Sequence, residues 1–184
     1  MREVRWTPEE GEGVEHLAYD ARADGFYAES VVVGEREGRA YGLMYRVKCD
    51  LQWRTLHAWL KVTGGPELEL HGDGEGNWRD GHGLVLPSLT GCIDIDIAAT
   101  PFTNTLPIRR LQLAKGVREP ITVVFISTPD LQVSRVAQAY TCIESGSEYR
   151  YEGIDTGFAA ELTVDADALV IDYPMMFART WPRV

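Results

Sequence analysis

The chain has 184 residues, 45% of them hydrophobic and 25% charged, and carries a formal charge of −10. That size and makeup describe a folded protein that buries about 70% of its unfolded surface without help from a disulfide or metal. The acidity argues against nucleic acid and anionic membrane surfaces as partners, since both select basic patches.

The first residues, MREVRWTPEEGEG, have no apolar h-region and are rich in acids, so no signal peptide is expected and the location reads as cytoplasmic. No run approaches the roughly 18 apolar residues of a membrane helix. Period-two alternation then dominates the chain. Strands are expected at 14–19, 26–35, 39–49, 53–62, 67–70, 83–87, 121–127, 131–142, 148–154, 158–164 and 168–173. Within 39–49, Tyr41, Leu43, Tyr45, Val47 and Cys49 share one face, and Met44, Arg46 and Lys48 the other. Turn signals separate the runs at short spacing, including ADG at 23–25, EREG at 35–38, GGP at 64–66 and DG at 80–81. Residues 129–139 read either as a helical turn or as a strand, and TWPRV reads as a short tail. The pattern predicts one mainly β domain over 1–184, with few or no helices and mostly antiparallel hairpins. Closure, stacking or curling must resolve its edges. A curled sheet would leave a concave apolar face for a helix, a loop, a partner or a ligand to fill.

Three widely spaced cysteines, Cys49, Cys92 and Cys142, lie in apolar runs. An odd count without framework spacing reads as buried thiols. HGDGEGNWRDGHG at 71–83 offers His71, Asp73, Glu75, Asp80 and His82, but position twelve of a calcium loop would be Leu84, so the segment reads as a glycine-rich hairpin tip. Trp53, Trp59 and Trp78 read as core or interface anchors. No cofactor or metal is expected, and no nucleotide-binding or nucleophile-elbow fingerprint is present.

The chemistry concentrates in GCIDIDIAATPFTNTLPIRRLQL at 91–113. Asp94 and Asp96 alternate with isoleucines, a hydroxyl-rich turn holds Thr103, Asn104 and Thr105, and Arg109 and Arg110 follow. If 92–97 and 106–112 form a hairpin, one arginine faces the aspartates across the strands. Three readings stay open. The residues form an ion-pair lock that fixes register, they anchor an anionic or hydroxyl-rich ligand, or one carboxylate serves a hydrolase-type reaction.

That segment, with TPDLQV, QAY, GNWRDG and GFAAELTVDADALVIDYPMMFAR, resembles the bacterial "putative glycolipid-binding" family, in order from Trp6 to Arg179. The resemblance implies a large, strongly curved antiparallel sheet rolled into a half-barrel or spiral β-roll. It also implies a non-enzymatic protein that holds a lipid or glycolipid on an apolar sheet face. A purely structural interaction domain is the further alternative. Ala168 stands where a glycine would be typical of the family, a replacement that is tolerable if its φ is negative.

Overall fold

The computed structural model describes residues 1–182. Seven strands precede the 91–113 segment: β1 (Arg2–Pro8), β2 (Gly13–Arg22), β3 (Gly25–Arg36), β4 (Arg39–Cys49), β5 (Thr55–Val62), β6 (Glu67–Gly72) and β7 (Trp78–Asp80). Within and after it come β8 (Asp94–Ile97), the helix α1 (Thr105–Leu111), β9 (Arg118–Ile126), β10 (Val133–Glu144), β11 (Glu148–Gly153), β12 (Ala159–Val164), β13 (Val170–Tyr173) and β14 (Phe177–Trp181).

All fourteen strands form one curved, unclosed sheet in the order β7-β6-β5-β4-β3-β2-β1-β14-β13-β12-β11-β10-β9-β8. Each half is a meander of hairpins, and the halves join where β1 pairs with β14. Local chemistry sets the register. At the β3–β4 turn, Arg36 pairs with Arg39, and Glu37 and Gly38 between them both take positive φ, 54° and 74°. That geometry matches the right-handed strand twist. At the start of β3, Gly25 has φ 141°, and a Cβ there would stand 2.0 Å from the Cys49 carbonyl oxygen. Only glycine permits this approach.

The two edges, β7 and β8, are three and four residues long. Short edges limit unpaired backbone, and the connecting segment covers them further. Gly91 N–H donates to Gly76 O at 2.9 Å, and Trp78 Nε1 donates to Cys92 O at 2.7 Å.

Among the described residues the one parallel pair is β8 with β9. Parallel neighbours need a crossover, and this one carries α1 into the concave side of the sheet. Leu106 and Phe102 pack into the cluster around Trp6, Tyr45 and Leu60. Ile108 packs into a second cluster with Tyr140, Cys142 and Leu162. The roll is therefore filled by its own chain.

Several expectations change. Residues 106–111 form a helix, not the second strand of a hairpin with 92–97. Pro107 explains this: a proline cannot donate in a central strand but suits the first helical turn, where its N–H is not needed. The strand expected at 83–87 lies instead at Trp78–Asp80, with Val85 as a single bridge to Arg79. The N-terminal segment and part of the expected tail are β1 and β14, the pair that joins the halves, while residues 183–184 lie outside the described residues. Residues 133–144 are strand throughout. Ala168 takes φ 60°, so the condition of a negative φ is not met. Its N–H reaches Asp165 O at 2.8 Å and its carbonyl accepts from Thr105 Oγ1 at 2.8 Å, which offsets a backbone cost of about 1–3 kcal/mol. All three cysteines are free and buried, as expected.

A polar cluster ties the crossover to the sheet. Glu15 is buried, and its Oε1 accepts from Ser30 Oγ at 2.7 Å and Tyr45 Oη at 2.5 Å. Tyr45 Oη also lies 3.2 Å from Thr100 Oγ1, while Glu15 Oε2 has no partner among the described residues. Burial pushes the Glu15 carboxyl from 4.5 up to about 7, against the lowering effect of hydrogen bonds from Thr100, Tyr45 and Ser30. The folded state thus keeps a proton that the unfolded chain releases. The stability this contributes is complete below pH 4.5 and is lost as pH rises through about 7. Glu15→Gln, which preserves the neutral form, is expected to flatten the stability profile and to gain up to about 3 kcal/mol at pH 8 over the wild type. Urea denaturation at pH 5 and pH 8 measures this. Parallel profiles for the two proteins would contradict it.

Candidate functional site

The predicted site residues divide once they are placed in the fold. Asp94 sits on β8 with its side chain at 0% exposure, against 16% for Arg110. Arg110 Nη2 donates to Asp94 Oδ2 at 2.6 Å, and its Nε lies 3.1 and 3.2 Å from the two carboxylate oxygens. The pair joins strand to helix rather than strand to strand. Burial raises the Asp94 carboxyl above its usual range even though Arg110 pulls it down, so the arginine offsets only part of the desolvation.

Asp96 is bound differently. Gln138 Nε2 donates to its Oδ2 at 2.6 Å and Thr103 Oγ1 to its Oδ1 at 3.3 Å. Burial raises this carboxyl too, with the Gln138 and Thr103 bonds opposing. Asn104 accepts from Tyr140 Oη at 2.8 Å and donates to Pro101 O at 3.1 Å. Thr105 donates to Ala168 O. These five side chains, Asp94, Asp96, Thr103, Asn104 and Thr105, all hold the crossover in the roll.

Arg109 differs from its neighbour. Consecutive helical residues point about 100° apart, so when Arg110 turns to Asp94, Arg109 turns to the open end of the roll. Among the described residues its guanidinium makes no hydrogen bond or ion pair. Its carbon lies 5.1 Å from the Trp53 ring centroid. Trp53 is the inner member of an aromatic stack, 4.0 Å from Phe26 and 5.9 Å from Tyr19. Burial raises the Tyr19 phenol, with Arg109 opposing.

The loop before β5 creates this stack. Asp50 Oδ1 accepts the N–H groups of Gln52 and Arg54, both at 2.9 Å, and its Oδ2 takes Arg54 Nε at 2.6 Å. The loop so fixed holds Trp53 at φ 65°, an unusual value for a bulky residue. Sequence reasoning treated Trp53 as a core anchor and missed its place beside Arg109. The signal was present in DLQWR, where an aspartate precedes by three residues the residue it holds in a turn.

Beside Arg109 the open end carries a cavity of about 540 Å³, lined by Ile108, Gln112, Leu113, Tyr149 and Asp165 among others. Asp165 is already paired, with Arg2 and Arg179 at 2.6 Å each. The free charge at the cavity is therefore the Arg109 guanidinium.

The family model described as "Putative glycolipid-binding" matches residues 3–179. The chain belongs to that family. A crystal structure of a DUF1089 family protein from Pseudomonas aeruginosa is 42% identical over 90% of this chain and 91% of that one, with a TM-score of 0.81. Comparison with curated proteins gives no match. The family match spans β1 to β14, so it includes the segment 91–113 and the residues of the open end. No helix among the described residues is long and apolar enough to cross a membrane.

Arg110→Ala leaves a solvent-free carboxylate without its cation and is expected to destabilise the fold by about 3–5 kcal/mol. Arg109→Ala removes no such partner and is expected to change stability by less than about 1 kcal/mol. Thermal and urea unfolding of the two variants measure this contrast, and equal losses would contradict the division of roles.

Proposed function

We propose that the protein binds the polar headgroup of a glycolipid at the open end of its roll. The observation that carries this reading is the uncommitted Arg109 guanidinium, set over Trp53 and beside a cavity of about 540 Å³. Such a volume falls in the range of small-ligand sites. A guanidinium with free donors suits phosphate or sugar oxygens. Ile108, Leu113 and Tyr149 supply an apolar rim for the start of an acyl chain. Family membership supports the ligand class.

The filled interior refines the picture of a lipid on the concave sheet face. Phe102, Leu106 and Ile108 occupy that face, so the acyl part of the ligand lies at the rim. Of the seven expected site residues, Arg109 is the one that would touch the ligand, and the other six hold it in place. The same arrangement disfavours a hydrolase reading of Asp94 and Asp96, because both carboxylates are committed to internal partners.

Titration with a fluorescent short-chain glycosyl lipid is expected to show saturable binding by the wild type. Arg109→Ala should weaken it by about tenfold, the loss of roughly one charged hydrogen bond, while leaving the melting temperature unchanged. Absence of saturable binding, or equal binding by the variant, would overturn the proposal.

A further inference from the structure

The outer face of the sheet carries a second constellation, away from Arg109 and its cavity. His57 on β5 and His71 on β6 are direct cross-strand partners, and Glu69 lies two residues before His71 on the same face. The ligating atoms of all three stand within 4.8 Å of one another. Both histidines turn the same nitrogen toward the same oxygen. His57 Nε2 is 3.0 Å, and His71 Nε2 3.4 Å, from Glu69 Oε1. The imidazole centroids are 4.9 Å apart.

These separations fit a coordination sphere. Nitrogen and oxygen ligands bind zinc at 2.0–2.1 Å, so neighbouring ligand atoms around a tetrahedral ion stand about 3.3 Å apart. The two observed distances lie on either side of that value. Two imidazoles with one carboxylate form a donor set suited to zinc-class divalent transition metals rather than magnesium or calcium, which prefer oxygen. The positions are set by backbone pairing rather than by mobile loops. The chain after β7 also restrains the carboxylate: Gly81 packs so close that a Cβ there would lie 3.0 Å from Glu69 Cβ and Oε2. Of the cationic neighbours, Arg79, across from His71, donates to Gly83 O at 3.0 Å and has no ion-pair partner among the described residues, while two others are engaged. Lys48, across from His57, pairs with Asp24 at 3.0 Å, and Arg46 pairs with Glu29 at 3.2 Å.

His57 also lines a concavity of about 640 Å³ on the outer face of β2 to β5. An ion held by three protein ligands keeps at least one open position, and of the three ligands His57 borders the concavity. We propose that His57, Glu69 and His71 form a binding site for one zinc-class divalent cation, with water or an exogenous ligand completing its coordination from the groove.

The test uses Zn²⁺ and Co²⁺ alone, on protein first stripped with a chelator. Calorimetric titration of the wild type with Zn²⁺ is expected to show one equivalent bound. The double variant His57→Gln/His71→Gln and the single variant Glu69→Gln should each bind at least about tenfold more weakly, the scale on which even outer-shell losses are felt. All three positions lie on the outer face, and circular dichroism and melting curves establish that the variants are folded. The Co²⁺ complex should show d–d bands without the intense near-ultraviolet band of thiolate ligation. Absence of stoichiometric binding, binding unchanged in Glu69→Gln and in the double variant, or a thiolate band would each overturn the proposal.

Discussion

A carboxylate without solvent contact must be neutralised where it stands, and at Asp94 that demand organises the structure around it. Arg110 meets it from the last turn of α1, and the geometry brings all of Asp94's pairing from one residue. The pair thereby fixes the rotation of the helix. It also fixes the depth to which Leu106 and Ile108 enter the two core clusters. A buried pair of this kind is weak evidence for net stability, since apolar residues could fill the same space at no loss. Its effect is better described as orientation, because the helix has one seating in which the charge is satisfied.

From that seating the open end follows. Arg109 has no freedom to share the aspartate, so it faces the rim over Trp53. The hydroxyl and amide groups of Thr103, Asn104 and Thr105 are consumed in holding the crossover to Gln138, Tyr140 and Ala168 through direct contacts or through Asp96. The same network that fills the concave face leaves the Arg109 guanidinium without a hydrogen-bond or ion-pair partner among the described residues. The histidine–glutamate cluster arises from different physics: strict cross-strand register on the outer face places His57 opposite His71 without reference to the core.

The strands were legible because alternation reports burial directly. On β4 the more apolar of the two alternating faces, with Leu43, Tyr45, Val47 and Cys49, is the buried one. The pairing of Asp94 with an arginine of 109–110 was also legible, but its route was not. Period-two reading of LPIRRLQL gives a strand, and the evidence against it was Pro107, which a central strand does not tolerate. The seam of β1 and β14 was hidden because its pairing spans the whole chain, and nothing in either short segment reports a partner so distant. The open-end stack was hidden for a similar reason: Tyr19 and Phe26 come from the β2–β3 hairpin end, Trp53 from the β4–β5 connection and Arg109 from a helix. In HGDGEGNWRDGHG the aspartates proved to be turn formers, Asp73 and Asp80 each accepting two backbone N–H groups. Only His71 of that segment joins a cluster, and its partners lie outside the motif.

The central claim is that α1 is a permanent part of the core, locked by Asp94 and Arg110, which confines the proposed ligand contact to the rim. Native-state amide hydrogen exchange tests this most directly, because it separates local opening from global unfolding. The account predicts that the amides of Arg109, Arg110 and Leu111 exchange no faster than those of the central strands β3 and β4. Exchange of the helix through a separate, lower-energy opening while β3 and β4 stay protected would contradict it, and would make the concave face available to an acyl chain after all.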